Sequence, residues 1–191
     1  MFAAGFLILA GNISYAQIPK DTLKYYEWEE VHNADPDTIY AVDFTREKMG
    51  DIPEKLFQFE HLKGLKLTKN KLEDLPESFK ELEDLRFLYL DKNDFTYFPS
   101  QVFHLNNLVY LDLSRNRMGS IPKGIKNLKK LKYLDVWDNR FTKIDPAFSE
   151  LQQLEYIDLR GTTFSPSFVE KWTKAFPNAT VEFDSPCDCL E

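Results

Sequence analysis

The sequence predicts a repeat fold of the α/β class, a stack of short coils that each contribute one strand and one helical or 3₁₀ turn. Three observations predict it. A pattern of 23 residues recurs from residue 39 to beyond residue 150, with a 23-residue copy at LVYLDLSRNRMGSIPKGIKNLKK, Leu108 to Lys130. A fixed period of this length dictates architecture, because one unit cannot bury its apolar face alone and must stack on its neighbours. Each unit opens on an apolar–polar–apolar alternation, the signature of a short strand with one buried face. Asparagine and proline then recur at fixed places, where each strand must end.

The register holds position by position. With the first apolar residue of each unit as offset 0, the offsets 3, 5, 10, 13, 17 and 20 are filled as follows. The first unit has Ile39, Val42, Phe44, Met49, Ile52, Leu56 and Phe59. The second has Leu62, Leu65, Leu67, Leu72, Leu75, Phe79 and Leu82. The third has Leu85, Leu88, Leu90, Phe95, Phe98, Val102 and Leu105. The fourth has Leu108, Leu111, Leu113, Met118, Ile121, Ile125 and Leu128, and the fifth Leu131, Leu134, Val136, Phe141, Ile144, Phe148 and Leu151. All are apolar in a chain that is only 43% apolar, so the rows define the core. A sixth unit begins at Leu154, Ile157, Leu159 and Phe164 and then loses register.

The polar positions have their own logic. Asn70, Asn93, Asn116 and Asn139 share offset 8, where an amide turned inward can bond backbone groups that water cannot reach. Pro53, Pro76, Pro99 and Pro122 follow offset 13 and prevent a strand from continuing. The rest of each unit, such as Glu77 to Leu82, supplies the helical or 3₁₀ turn at the back.

These residues resemble the leucine-rich repeat family, in its 23-residue class with an L-P dipeptide. The motif L-x-x-L-x-L-x-x-N-x-L-x-x-L-P is nearly intact from Leu62 to Pro76 and again from Leu108 to Pro122. The resemblance implies a right-handed horseshoe solenoid with a parallel β-sheet on its concave side and short turns on its convex side. It says less about function, since one fold serves many partners.

The two ends depart from the repeat. Residues 1–16 read as a secretory signal peptide, an apolar run followed by Ser14-Tyr15-Ala16, too short to span a bilayer and without a basic n-region. Residues 17–38 are expected to form an N-terminal helical cap, with a helix over Asp21 to Asn33 whose inner side carries Leu23, Tyr26, Trp28 and Val31. The repeats occupy 39–164. A C-terminal cap and tail, 165–191, should contain a helix started by Ser165-Pro166-Ser167 and an edge strand from Thr180 to Phe183. Helix, acidic turn and degenerate first repeat resemble the start of exported bacterial leucine-rich repeat proteins. Cys187 and Cys189 lie in an acidic tail, where a bond between them would close a small strained ring.

Charge and composition exclude several functions. The net charge of −7 argues against nucleic acid as the main partner. His32, His61 and His104 are widely separated, no Gly-rich phosphate loop or Gly-x-Ser-x-Gly elbow occurs, and no cofactor, metal site or catalytic constellation is expected. Lys123, Lys126, Lys129, Lys130 and Lys132, with Arg115 and Arg117, make the fourth unit locally basic. They read as a solvated convex face, or alternatively as a contact for an anionic glycan or acidic protein. Asn178-Ala179-Thr180 matches the short glycosylation sequon.

The working face should lie on the concave sheet. There Phe87, Tyr110, Tyr133 and Tyr156 form an aromatic ladder at offset 2, and Tyr89, Asp112, Asp135 and Asp158 share offset 4 beside it. Trp137 adds an aromatic at a strand end. These side chains are expected to be exposed and to form the surface that binds a protein or peptide, because aromatics with a polar tip are favoured at binding sites. The expectation is therefore an exported, monomeric, non-enzymatic binding module. Alternatives are a carbohydrate- or cell-wall-binding module on the same aromatics, or an intracellular scaffold if the N-terminus is not cleaved.

Overall fold

The computed structural model describes residues 21–184. The expected signal peptide with Ser14-Tyr15-Ala16, and the cysteine pair Cys187 and Cys189, lie outside the described residues.

A two-residue strand, β1 (Tyr26–Glu27), precedes the repeats. The first four repeats contribute β2 (Ala41–Asp43), β3 (Gly64–Lys66), β4 (Phe87–Tyr89) and β5 (Tyr110–Asp112). The fourth adds a short β6 (Ser120–Ile121) beyond its turn, and the fifth supplies β7 (Tyr133–Asp135) with a matching β8 (Lys143–Ile144). The sixth gives β9 (Tyr156–Asp158), and β10 (Thr180–Glu182) follows. Among the described residues eight strands form one parallel sheet in the order β1-β2-β3-β4-β5-β7-β9-β10, and β6 and β8 form a separate parallel pair. The main register is one period per step. Phe87, Tyr110, Tyr133 and Tyr156 are therefore successive partners, as are Tyr89, Asp112, Asp135 and Asp158. Among the described residues the convex side is built from 3₁₀ turns at Glu54–Gln58, Glu77–Glu81, Ser100–His104, Lys123–Asn127 and Pro146–Glu150. Proline stands before the first residue of four of these turns, and in the fifth Asp145 caps the turn by accepting from the Ala147 backbone N–H.

The core sits between strands and turns. Every residue of the five apolar rows is buried except Met49, which is half-buried at the N-terminal end of the stack. The asparagines form a seam beside it. Asn116 Nδ2 donates to the carbonyls of Leu90 (3.1 Å) and Leu113 (2.9 Å), and its Oδ1 accepts from Phe95 N (3.2 Å). Asn70, Asn93 and Asn139 repeat the arrangement. One amide thus ties its own coil to the preceding one, satisfying backbone groups sealed from water.

Immediately before each asparagine the chain turns through a left-handed residue. Lys69, Lys92, Arg115 and Asp138 have φ between 54° and 57°, Arg46 has 70° at the matching place in the first unit, and Gly161 has 83° in the sixth. Only the last is glycine, the residue that tolerates this conformation at least cost.

The caps differ in how well they match expectation. The C-terminal helix α2 spans Pro166–Ala175, begun by Ser165, whose Oγ accepts from Phe168 N. Trp172 and Phe176 close the last coil against Phe148, with ring centroids 5.5 and 4.9 Å away. At the other end, the helix expected over Asp21 to Asn33 is confined to α1 (Trp28–Val31). Trp28 is half-buried against Phe44 and Phe59, not enclosed. The helical spacing of Leu23, Tyr26, Trp28 and Val31 is overridden because Tyr26 and Glu27 pair with Val42 and Asp43 and extend the sheet. Leu23 and Tyr25 instead lie against Gly64, where an added Cβ would collide with the Tyr25 hydroxyl and the Leu23 methyl.

Candidate binding surface

Strands of three residues place two side chains each on the concave face, and the one-period register turns them into two rows. The aromatic row is packed down on the sheet. Tyr89 and Tyr110 rings lie 4.9 Å apart, Phe87 and Tyr110 6.5 Å. Tyr110 and Tyr133 are each only 8% exposed, which corrects the expectation of exposed rungs. Phe87 and Tyr89 on the adjacent strand pack against the Tyr110 ring. Tyr133 donates its hydroxyl to Glu155 Oε2 (2.6 Å), Tyr156 to Asp158 Oδ2 (3.2 Å). Burial, with Asp112 and Asp135 nearby, holds the Tyr110 hydroxyl well above the usual tyrosine range, so it stays protonated. Phe87, Tyr89, Tyr156 and Trp137 are half-buried and present more reachable surface.

The aspartate row is not uniform. Asp158 is 2% exposed and clamped by Arg160, whose Nη2 stands 2.5 Å from Oδ2 and whose Nε stands 3.0 Å from Oδ1. Its charge is matched within the chain. Asp112 and Asp135 form no ion pair among the described residues. Each accepts one backbone N–H, from Ser114 (2.9 Å) and Trp137 (3.0 Å). Burial, then the charges of Asp135 and Asp91, push the Asp112 carboxyl up to about 7. Burial also pushes Asp135 up to about 6, aided by Asp158 and Asp91 and opposed by the Trp137 N–H and Arg160. Two like charges on adjacent strands oppose each other's ionisation, and a cation placed over them relieves the conflict.

Three contributors were not foreseen from the sequence. Asp91, 6% exposed at offset 6, lies near enough to raise both members of the pair, and it accepts from Thr68 Oγ1 (2.5 Å). The Arg115 guanidinium stacks 4.4 Å from the Trp137 ring centroid at the rim. The N-terminal segment crosses the β3–β4 end of the face: Tyr25 and Tyr89 both donate to Asp21, and Lys66 Nζ stands 3.9 Å from the Tyr25 ring centroid. The face left open therefore runs from Phe87 towards Tyr156, acidic at its centre. The offset-6 column could have been read from the repeat; the path of residues 21–25 could not.

The basic group on the fourth unit is mostly neutralised. Lys126 and Lys129 each stand 3.5 Å from a Glu150 oxygen, Lys132 stands 2.7 Å from Glu155, and Arg117 stands 2.8 Å from Asp94. His61 lies beside Asp84, far along the chain from His32 and His104. Among the described residues no cluster of three or more His, Cys, Asp or Glu is placed to hold a metal, and no helix is long and apolar enough to cross a membrane.

Comparison with known proteins agrees with this geometry. The family described as a leucine-rich repeat region matches residues 43–158. Among solved structures, a leucine-rich repeat protein of Leptospira interrogans is similar over 76% of this chain and 36% of its own, at 30% identity and a TM-score of 0.66. The plant peptide hormone receptor RGFR1, solved in complex with RGF2, is similar over 72% of this chain and 23% of its own, at 26% identity and a TM-score of 0.59. Internalin C2 of Listeria monocytogenes shares the fold over 76% of this chain and 62% of its own, at 24% identity and a TM-score of 0.65. The chain thus spans less than two thirds of the length of each of these proteins. No curated protein matches it.

Proposed function

The chain belongs to the leucine-rich repeat family, and on that footing we propose that it is a non-catalytic module that binds a protein or peptide through its concave face. The observation that carries the reading is the Asp112–Asp135 pair, two carboxylates with no ion-pair partner among the described residues, set beside the reachable aromatics Phe87, Tyr89, Tyr156 and Trp137. This combination suits a partner segment with a Lys or Arg next to an apolar anchor. The cation meets the aspartates, and the anchor covers rings that would otherwise stay in water. That a structural relative was solved in complex with RGF2 supports the class of ligand.

Selection from a random peptide library on the immobilised protein tests this. Enriched sequences should carry Lys or Arg adjacent to an aromatic or aliphatic residue. Enrichment of acidic or charge-free sequences would count against the reading. Export belongs to the same proposal and rests on the apolar run ending in Ser14-Tyr15-Ala16. It expects a mature N-terminus at Gln17, and recovery of only the intact Met1 form would reject it.

A further inference from the structure

The left-handed turn before each asparagine carries no glycine. Glycine is the least strained choice at φ near 55°, since any Cβ there crowds the following carbonyl. Yet four successive repeats place a long cation at this turn, Arg46, Lys69, Lys92 and Arg115. Two residues further on, Lys48, Lys71, Arg117 and Arg140 form a second row on the other side of the asparagine seam, interrupted by Asp94 in the third repeat. Backbone bonds hold both rows in register. Lys69 N donates to Asp91 O and Lys92 N to Ser114 O in one; Lys71 N donates to Met49 O and Arg117 N to Phe95 O in the other.

The result is a basic rim on a chain of net charge −7. Three of these cations are partly answered: Lys92 by Asp91 (3.1 Å), Arg117 by Asp94 (2.8 Å) and Arg115 by Asp138 (3.9 Å). Lys69, Lys71 and Arg140 are exposed and form no ion pair among the described residues. A cleft of about 340 Å³ opens between Lys92, Arg115, Arg117 and Arg140, with Asp138 the one acidic residue in its lining. The Trp137 ring stacks against Arg115 at the rim, and Tyr97, 82% exposed, follows Asp94 by three residues in the chain.

We propose that this rim binds a linear anionic polysaccharide, at a site that adjoins the concave face and shares with it only the Arg115–Trp137 stack. Cations repeating at the strand spacing of about 4.8 Å suit a stiff chain with evenly spaced anionic groups rather than a folded acidic protein. The half-buried Trp137 ring and the exposed Tyr97 ring offer apolar faces to sugar rings. The chain's net charge of −7 argues against nucleic acid as the main partner.

Heparin, carrying sulfates, and polygalacturonate, carrying carboxylates, serve as probes, with poly-glutamate and single-stranded DNA as rivals. The whole protein should bind at least one polysaccharide more tightly than either rival. For that polysaccharide, the triple variant Lys69→Glu, Lys71→Glu, Arg140→Glu should lower the slope of log affinity against log salt by about three, one for each lost cation. The double variant Lys126→Glu, Lys129→Glu should leave that slope unchanged, and both variants should melt like the parent. No binding of either polysaccharide at low salt, equal loss in the convex variant, or tighter binding of poly-glutamate or DNA would each overturn the proposal. Peptide binding on the concave face should survive the triple variant, so failure here is distinguishable from failure of the concave reading.

Discussion

Asp112 and Asp135 are direct partners on adjacent parallel strands, with no cation of the described residues paired to either. The next aspartate in the row, Asp158, has its cation in Arg160. This contrast turns a repetitive surface into one with a defined polar centre.

A pH dependence follows. With Asp112 pushed up to about 7 and Asp135 to about 6, the folded state holds more protons than the unfolded state, whose aspartates titrate at about 3.9. Where the folded state binds more protons, stability falls as pH rises. The pair's penalty is therefore absent below about pH 4, grows through about pH 6, and is complete above about pH 7. The variant Asp112→Asn, which keeps the acceptor for Ser114 N, should be more stable than the parent at pH 8 by on the order of 1–2 kcal/mol, and the gain should shrink at pH 5. Thermal melts at the two pH values check this. A pH-independent difference would contradict it.

Asn116→Ala removes an amide that bonds four backbone groups across two coils. It should cost about 1–3 kcal/mol, the range for backbone groups left buried without partners. Denaturant titration measures the loss. An unchanged midpoint would mean water replaces the amide.

Gly161→Ala places a Cβ 2.5 Å from the Asp138 backbone at a φ of 83°. A loss of about 1–3 kcal/mol in denaturant titration is expected. Gly119→Ala, with open space around its Cβ, is the control and should change stability little.

Trp172 seals the last coil at 1% exposure, and Trp172→Ala should cost about 3–5 kcal/mol. Its indole N–H has no hydrogen-bond partner among the described residues, so Trp172→Phe should cost much less. Equal losses in the two variants would point to an unseen partner for that N–H.

The core was legible because one period fixes which side chains point inward; Leu88, Leu111 and Leu134 cannot face outward without breaking all the coils. The asparagine seam was legible for the same reason. What escaped was decided by contacts outside the period. Tyr110 is covered by Phe87 and Tyr89, and Tyr133 is held down by its bond to Glu155, contacts of the stack and not of the motif. Asp158 is neutralised by Arg160 at offset 6, where the other units hold Thr45, Thr68, Asp91, Ser114 and Trp137, so the period alone supplies no cation there. Residues 21–25 cross the sheet because Gly64 leaves room, and one glycine in a strand does not announce what fills the space. The basic rim is hidden because its positions lie at turn tips, outside the apolar offsets.

The most direct test of the concave assignment is the affinity of a library-selected peptide for three variants, measured by titration calorimetry. Trp137→Ala and Asp135→Asn should each weaken binding about tenfold or more, about 1.4 kcal/mol, while Lys126→Glu on the convex side leaves it unchanged. Silence of both concave changes, with loss in the convex one, would contradict the account.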